Sequence, residues 1–396
     1  MKIVIYSEYF FPISGGVQTN IFELARGLIA RTPNYDSEPI DVTVVTRTQE
    51  TTCSDGSWPF HLVRCPNFGN LVRLLREADV VHIAGPALLP MGLCLALDKP
   101  VVVAHHGYQS MCPNGILLQG SSRAVCPGHF MAGRYGKCLR CNLADMGWLG
   151  SLRALILQFP RRWLCKRASV NVAVTGHVAR RVALPRTRVI LHGIGDCECS
   201  SIQRNVHGIE IGYVGRLVQE KGLPVLLRAA KRLHEDRLAF RLTIVGDGPL
   251  RGQLERDCRE LGLTPLVSFT GELAGAELER TVRPLQVVVL PSLWEETAGL
   301  AVIEQMMRGG VVVASDIGGL TEVLGDAGLK FTPGDSDALY LRLRELLEHP
   351  SIAESLSSAA RERAAKNFSL DKMVESHVAL YDELVTCHAD GKRTQG

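Results

Sequence analysis

The sequence predicts an α/β protein built from two doubly wound, Rossmann-like domains. Short runs of β-branched residues alternate with amphipathic stretches, the alternation stops in a polar segment at 193–207, and it resumes after that segment. The chain has 396 residues, which is too long for one ordinary core. Two successive β/α series of this kind are typical of two parallel sheets, each covered by helices on both faces.

The first series starts at the N-terminus, where Ile3–Tyr6 is the first predicted strand. A predicted helix follows Gly15 and Gly16, because apolar residues then share one helical face at Val17, Ile21, Leu24 and Leu28. Continuous apolar runs come next, as expected for parallel strands buried on both faces, at 42–46, 79–83, 100–104, 169–175 and 188–192. These elements predict a first domain over residues 1–195.

The second series begins with a predicted strand at 209–215 and a helix from about Leu223. Further strands are predicted at 241–248, 266–271, 285–292 and 311–315, and helices at 337–348, 351–366 and 370–386. We therefore expect a second domain over residues 208–368, with a final helical segment over 369–396.

Composition restricts the class of protein. Apolar residues make up 46% of the chain and charged residues 21%, which is usual for a globular protein. The net charge of +3 is too small to indicate nucleic acid binding, so we expect no nucleic-acid partner. The N-terminal stretch lacks the long apolar run of a signal peptide, and no stretch approaches the ~18–20 apolar residues that span a bilayer. We therefore expect a cytoplasmic protein, either in solution or peripheral on the cytosolic membrane face.

Two glutamates, Glu296 and Glu304, follow the predicted strand 285–292 with seven residues between them. The loop that holds Glu296 would lie at the carboxyl edge of a parallel sheet, where ligands bind. A helix that starts near Gly299 would place Glu304 in its second turn and would offer free amide groups to a phosphate. The alternative is two surface glutamates beside a helix start, and the spacing by itself does not decide between them.

Two cations, Arg216 and Lys221, lie in the predicted loop after the first strand of the second domain. Cations at a sheet's carboxyl edge suit a diphosphate, whose negative charge grows as it leaves. Glycine-rich turns at Gly246 and at Gly15-Gly16 each precede a predicted helix and are further potential anion contacts. By themselves these glycine motifs are weak signals, and the nicotinamide-binding fingerprint is not matched.

Several motifs occur in one order along the chain: GGVQTN, GRLVQEKG, VGDGP, PSLWEETAGLAVIE and ASDIGG. In this order they resemble the retaining glycosyltransferases of the GT-B fold that carry a Glu-x7-Glu motif, known as glycosyl transferase group 1 or family 4. The resemblance covers nearly the whole chain and is more specific in the second half. It implies two Rossmann-like domains that face a cleft, with the last helix crossing back to the first domain.

The resemblance also implies roles for individual residues. Arg216 and Lys221 match the pair that holds the donor's diphosphate, Glu296 matches the glutamate near the transferred sugar, and Glu304 matches the one at the nucleotide ribose. His106 matches a histidine at the reacting sugar, whereas its neighbour His105 suits a packed residue at a strand end. The remaining donor contacts implied by position are Gly15, Gly16, Gly246, Gly299 and Leu300. Ala298 departs from the family, which often has an aromatic residue there.

The activity implied by the resemblance is hexosyl transfer with retention of configuration. The donor would be a UDP- or GDP-sugar and the acceptor a hydroxyl group of a glycan, a lipid-linked molecule or a small molecule. Catalysis would need no metal cofactor, because cationic side chains and helix dipoles take its place. Two alternatives remain: a non-catalytic subunit that binds nucleotide sugar, and a sugar-nucleotide epimerase with the same fold.

An irregular segment at about 108–145 is the least family-like part of the chain and contains four cysteines, Cys112, Cys126, Cys138 and Cys141. Cys138 and Cys141 form a Cys-x2-Cys pair, and the four thiolates together would suit a structural zinc ion. Free thiols or disulfides are the alternatives. Four protein ligands would leave no open position, so a catalytic zinc is not expected.

A basic amphipathic stretch follows at 148–167. Its apolar residues recur at helical spacing and alternate with basic ones, which is typical of a helix that lies on an anionic membrane. The alternative is a helix that is kinked at Pro160 and packs on the first domain with a solvated basic face. The membrane interpretation would favour a lipid-linked acceptor.

Overall fold

The structure is a computed structural model that describes residues 1–13, 15–31, 39–49, 58–120, 124–196 and 208–393. Most of the predicted linker, 197–207, lies outside these ranges. The chain divides into two compact units. The first comprises Met1–Ser122, Cys126–Gly195 and Phe368–Gly396, and the second comprises Arg123–Val125 and Asp196–Asn367.

The first unit contains a parallel sheet. Its strands are β1 (Lys2–Ser7), β2 (Asp41–Thr46), β3 (His61–Arg64), β4 (Val80–Ala84), β5 (Val101–His105), β6 (Val170–Ala173) and β7 (Thr187–Val189). They are arranged in the order β3-β2-β1-β4-β5-β6-β7. All of Val101–His105 is buried, as expected of a strand with a helix layer on each face. The strand order reverses between β1 and β4, and that reversal is where ligands bind in open α/β sheets.

The second unit repeats this plan. Its strands are β8 (Ile209–Val214), β9 (Phe240–Val245), β10 (Val267–Gly271), β11 (Val287–Leu290), β12 (Val311–Ser315) and β13 (Leu329–Phe331). They form a second parallel sheet in the order β10-β9-β8-β11-β12-β13, so that here the reversal falls between β8 and β11. The sequence prediction of two doubly wound, Rossmann-like folds is confirmed.

Helices cover both sheets. In the described part of the chain they are α1 (Gly16–Ala30), α2 (Phe68–Glu77), α3 (Leu88–Ala96), α4 (Tyr135–Arg167), α5 (Gly176–Val182), α6 (Leu223–Glu235), α7 (Arg251–Glu260), α8 (Gly275–Val282), α9 (Leu300–Met307), α10 (Gly319–Leu324), α11 (Ser336–Glu348), α12 (Pro350–Asn367) and α13 (Leu370–Arg393). None of the helices in these ranges is both long and apolar enough to cross a membrane.

The long helix α4 differs from the sequence prediction. Its backbone leaves the helical conformation at Gly147, where φ is 67° and ψ is 178°, while Pro160 stays inside the continuous second segment. The sequence did not predict the break at Gly147, and the kink at Pro160 stays a prediction. Glycine adopts this left-handed φ without the steric cost that a Cβ would add.

The last helix, α13, belongs to the first unit. Tyr381 places its hydroxyl 2.8 Å from Nδ1 of His82 on β4, and Arg188 bonds both carboxylate oxygens of Glu383 at 2.7 and 2.6 Å. Met373, Val374 and Tyr381 are buried in the apolar core of this unit. The chain thus leaves the second unit at Asn367 and ends on the first.

Candidate active site

The strongest group of site candidates lies at the strand reversal of the second sheet. Arg216 and Lys221 follow β8, and Glu296 follows β11, the strand that pairs directly with β8. Because the strands are parallel, both loops leave the sheet at the same carboxyl edge. The fold therefore brings together two cations and a carboxylate that lie about 80 positions apart in the sequence.

The two loops are fastened to each other by backbone contacts. Leu293 donates its amide to the carbonyl oxygen of Glu220 at 2.8 Å. Gly222 has a φ of +69°, and a Cβ atom at this position would lie 1.9 Å from the carbonyl oxygen of Pro291. Only glycine allows such an approach, so the separation between the loops is set by the backbone itself.

Lys221 and Glu296 form an ion pair at the centre of this group. The Nζ atom of Lys221 lies 2.5 Å from Oε1 of Glu296, and the hydroxyl of Ser292 donates to the same oxygen at 2.7 Å. Glu296 is 5% exposed. Burial pushes the pKa of its carboxyl upward, but the charge and hydrogen bond of Lys221 and the bond from Ser292 outweigh it and hold the pKa below its ordinary value. Glu296 is thus a fixed, ionised acceptor.

Helix α9 begins directly after this carboxylate, as the sequence predicted. Gly299 caps it in the left-handed conformation, with φ 70° and ψ 69°, and the helix runs from Leu300 to Met307. The first amide groups of a helix have no acceptor within the helix, so those of Leu300 and Ala301 are available to an anion. Glu304 lies in the second turn and is partly buried.

The loop after β12 contacts the segment that holds Glu296. Gly319 donates its amide to the carbonyl oxygen of Glu296 at 2.6 Å. A Cβ atom on Gly318 would lie 2.7 Å from the Cα atom of Glu295, and one on Gly319 would lie 2.1 Å from the carbonyl oxygen of Thr297. These close approaches explain the Gly-Gly pair without a ligand.

Arg216 and Gly246 are placed differently from the ion pair. Arg216 is exposed, and its carbonyl oxygen accepts the hydroxyl of Tyr213 at 2.8 Å and the amide of Val218 at 3.1 Å. A Cβ atom on Gly246 would lie 2.0 Å from the carbonyl oxygen of Gly215, so the packing of the loops after β8 and β9 already requires glycine there. A donor contact at Gly246 stays a prediction.

The candidates of the first unit form a separate group. Gly15 caps α1 in an extended conformation, with φ 167° and ψ 166°, and both Gly15 and Gly16 are exposed. Because α1 follows β1, they lie at the carboxyl edge of the first sheet beside its strand reversal. The glycine pair leaves the amides at the start of α1 accessible, which suits the predicted anion contact.

His106 directly follows β5 and contacts a second histidine. Its Nδ1 lies 3.2 Å from Nε2 of His192. Burial, and after it the neighbouring His192, lower the pKa of His106 well below the ordinary value, so its ring is neutral at pH 7. His105 points elsewhere: it is fully buried and bonds Oδ1 of Asn171 at 2.9 Å.

Sequence reasoning missed Ser292 and His192. Ser292 stands four residues before Glu296 in a loop, where spacing has no geometric meaning, so its bond to the carboxylate was not predictable. His192 lies 86 positions from His106, and only the packing of the strands brings the two rings together.

The four cysteines of the irregular segment are free thiols. Cys141 bonds the carbonyl oxygen of Leu118 at 3.3 Å and accepts the amide of Gly120 at 3.2 Å. Burial raises the pKa of Cys138 to about 12, and the three other thiols act in the same direction. Within the described residues no group of three or more histidines, cysteines or carboxylates is arranged to hold a metal ion, so the structure lends the zinc prediction no support.

Two family models match the chain in succession. The model described as Glycosyltransferase Family 4 matches residues 14–195, and the one described as Glycosyl transferases group 1 matches residues 201–363. The matches meet near the boundary between the units and together cover most of the sequence. The chain belongs to this family of GT-B glycosyltransferases, as the motif order predicted.

Similar proteins share parts of the sequence or the whole fold. A 2-deoxystreptamine glucosyltransferase of Streptomyces kanamyceticus is 33% identical over 180 residues, which are 45% of this chain and 46% of that protein. A sulfoquinovosyl transferase of Arabidopsis thaliana is 38% identical over 159 residues, 39% of this chain and 29% of that protein. The chain thus matches less than half the length of these curated relatives.

Among solved structures, HepE of Anabaena in complex with UDP superposes with a TM-score of 0.71 at 18% identity, covering 97% of this chain and all of that chain. A sucrose-phosphate synthase from Thermosynechococcus elongatus superposes with a TM-score of 0.72 at 20% identity, covering 98% and 99%. At these identities the likeness shows the fold.

Proposed function

We propose that the protein is a retaining glycosyltransferase that moves a hexose from a nucleotide-diphospho-sugar to a hydroxyl group. The observation that carries the proposal is the group at the strand reversal of the second sheet: the ion pair of Lys221 and Glu296, exposed Arg216, and Glu304 behind the start of α9. Cations, free amides and carboxylates at one edge suit a ligand that has both phosphates and hydroxyl groups.

Each part of the donor has a matching partner in this group. Arg216, Lys221 and the amides of Leu300 and Ala301 would bind the diphosphate. Glu304 would accept hydrogen bonds from the ribose and Glu296 from the sugar, because carboxylates repel phosphates but accept well from hydroxyl groups. A UDP-sugar is the first donor to test, since HepE was solved with UDP and with UDP-glucose.

The chemistry follows from where charge develops. As the bond between the sugar and the diphosphate breaks, negative charge grows on the phosphate, and the two cations and the helix amides stabilise it without a metal cofactor. The leaving phosphate would accept the acceptor's proton while the hydroxyl attacks the same face of the sugar, which retains configuration. Glu296 is tied to Lys221 and Ser292, so it would orient the sugar and not attack it.

The proposal is tested by incubating the protein with UDP-glucose, GDP-mannose and related donors. A donor that binds is expected to raise the thermal unfolding temperature, because ligand that binds only the native state stabilises it. Transfer to an acceptor is expected to release the nucleoside diphosphate and to give a product whose anomeric configuration, read by NMR, matches the donor.

The Glu304→Ala variant tests the ribose contact. Hydrogen bonds to a charged group contribute about 1.5–3 kcal/mol, so donor binding is expected to weaken by about 10- to 100-fold. Glu260→Ala, on the exposed face of α7, is the matched control and is expected to bind like the wild type. Wild-type affinity in Glu304→Ala would contradict the assignment.

Two other functions predict different results in the same assays. A non-catalytic subunit would bind a donor and release no nucleoside diphosphate with any acceptor. An epimerase would convert one nucleotide sugar into another and leave the acceptor unchanged. The presence of both Lys221 and Arg216 beside Glu296 and Glu304 argues against the non-catalytic subunit, since a copy without activity would be expected to have lost part of this set.

A structural zinc ion at Cys112, Cys126, Cys138 and Cys141 stays a separate prediction. Elemental analysis of purified protein is expected to give about one zinc per chain, which the double variant Cys138→Ser, Cys141→Ser loses. Folded protein that contains no metal would refute it and would leave the transferase proposal untouched.

A further inference from the structure

The long helix α4 of the first unit carries an unusual share of exposed apolar side chains. Of the sixteen large apolar residues that are exposed in the described part of the chain, nine lie between positions 131 and 163: Met131, Tyr135, Leu143, Met146, Trp148, Leu149, Ile156, Phe159 and Trp163. Single exposed apolar residues are ordinary, but a concentration of this kind marks an interaction surface.

The second segment of α4 differs from an ordinary surface helix because its exposed side is also apolar. The residues that it buries completely are Ser151, Gln158 and Cys165, spaced by seven and therefore on one side. Leu149, Ile156, Phe159 and Trp163 follow the spacing of a different helical face, and all are exposed. A helix that served only to cover the sheet would place these residues inward.

The break at Gly147 adds a projecting corner to this face. The residues next to it are Met146, Trp148 and Leu149, of which Trp148 is 58% and Leu149 79% exposed. Because the helix direction changes at Gly147, these side chains stand at the turn between two helical segments. Exposed apolar side chains at such a corner could insert between the lipids of a bilayer.

The helix also carries a strongly positive charge. Between Tyr135 and Arg167 there are seven basic residues and a single acidic one, Asp145, whereas the whole chain has 44 basic and 41 acidic residues. Two of the seven fasten the helix to its unit: Arg161 bonds the carbonyl oxygen of Pro86 at 3.2 Å, and Arg162 that of Val182 at 3.0 Å. The other five are exposed: Lys137, Arg140, Arg153, Lys166 and Arg167.

We propose that this face of α4, which we call the α4 face, lies on the surface of an anionic lipid bilayer. Exposed apolar residues would enter the boundary between headgroups and acyl chains, and the basic residues beside them would bind anionic headgroups. Trp163, with the Arg167 guanidinium stacked 3.8 Å from its ring centre, combines both features at one end of the helix. A helix that presents one apolar and basic face to the headgroup region makes a peripheral contact.

The positive charge of the α4 face favours an anionic bilayer over a second copy of the chain as the partner. A second copy of the chain would present the same five exposed basic residues and one acidic residue, so a symmetric contact through this face would bring like charges together. An anionic bilayer offers the complementary charge and accepts apolar side chains of any shape.

The proposal is tested by vesicle flotation of the full-length protein. We expect binding to vesicles that contain 30% phosphatidylglycerol, about tenfold weaker binding to pure phosphatidylcholine, and loss of binding as salt rises, since exposed charges are screened. The double variant Trp148→Ser, Leu149→Ser is expected to lower the partition coefficient by about tenfold or more. Leu341→Ser, at an equally exposed position in α11 of the second unit, is the control and should bind like the wild type.

Three results would overturn the proposal. They are equal binding by the wild type and the double variant, binding that is independent of anionic lipid, and a dimer in analytical ultracentrifugation that the double variant dissociates. Transfer to a water-soluble acceptor is expected to be unchanged in the double variant, so a failure of lipid binding is distinguishable from a failure of the transferase proposal.

Discussion

At the scale of single residues, the pairing of Lys221 with Glu296 changes what each can do. The family resemblance implies separate partners for them, the diphosphate for Lys221 and the sugar for Glu296. In the structure their charged atoms are 2.5 Å apart, so Lys221 also neutralises the carboxylate. A donor phosphate would have to share this cation with Glu296. The pair is therefore part of the architecture of the site as well as of its chemistry.

Removal of Lys221 is expected to destabilise the protein. Breaking a buried ion pair costs about 3–5 kcal/mol, and we expect about 2 kcal/mol from Lys221→Met because the lysine is partly exposed. The double variant Lys221→Met, Glu296→Gln should recover part of this loss, since no uncompensated charge stays buried. Chemical unfolding of the three proteins measures it.

Lys231→Met is the control, because Lys231 forms an exposed pair with Glu235 at 3.5 Å and such pairs contribute about 0–1 kcal/mol. If Lys221→Met and Lys231→Met cost the same, the pair has no structural role. Donor binding by Lys221→Met should therefore be measured under conditions in which the variant is folded.

At the scale of elements, glycines fix the loops that build the site. Gly222, Gly246 and Gly318 each stand where a Cβ atom would lie less than 3 Å from the backbone of a neighbouring loop. The loops after β8, β9, β11 and β12 are therefore interlocked by backbone contacts before any ligand is bound. These interlocked loops keep Glu296 and the start of α9 in place.

The Gly222→Ala variant tests this interlock. A left-handed φ costs a residue with a Cβ about 1–2 kcal/mol, and the 1.9 Å approach to Pro291 adds the cost of moving a loop. Gly262→Ala is the matched control, because Gly262 has a similar φ of +71° and open space around it. Calorimetric unfolding should show a loss for Gly222→Ala that exceeds the control by about 2 kcal/mol or more. Equal losses would mean that φ alone matters.

Elements that are determined by neighbouring residues in the sequence are easier to predict than elements that depend on contacts with distant residues. Parallel strands and the helices 336–367 are set by local runs and periodicity, and the sequence located them within a few residues. The strands β3 and β13 have only four and three residues. They depend on pairing with longer neighbouring strands, so their own sequence gives little signal. The break in α4 at Gly147 was not predicted, because the conformation of this glycine depends on how both helical segments pack.

The site was predictable for the same reason. Arg216, Lys221, Glu296 and Glu304 follow strands whose order in the sheet the β/α alternation implies, so a shared edge could be expected. The ion pair, the bond from Ser292 and the contact of His106 with His192 depend on side-chain directions, which strand order does not specify.

At the scale of the whole molecule, the two units differ in their buried titratable groups. Buried histidines in the described residues occur in the first unit alone, at His82, His105, His129, His192 and His377. Burial lowers the pKa of His82 to about 3 and those of His105, His192 and His377 to about 4. His82 and His377 also lie where α13 packs on the sheet, with ring centres 5.5 Å apart.

This difference predicts that acid unfolds the first unit before the second. An unfolded histidine has a pKa of about 6.5, so between pH 6.5 and pH 4 the unfolded chain binds more protons than the native one. Stability of the first unit should thus change little near neutral pH and fall below pH 6.5, by up to about 1.4 kcal/mol per pH unit for each histidine whose pKa burial lowers. Hydrogen exchange measured by mass spectrometry at pH values from 7 to 4.5, with intrinsic rates corrected for pH, should show protection lost first in β4, β5 and α13.

His377→Gln keeps a donor for the carbonyl oxygen of Met373 and removes one titrating group, so it should flatten the pH dependence in α13. If β8 and β11 lose protection at the same pH as β4, the buried histidines do not govern the acid response.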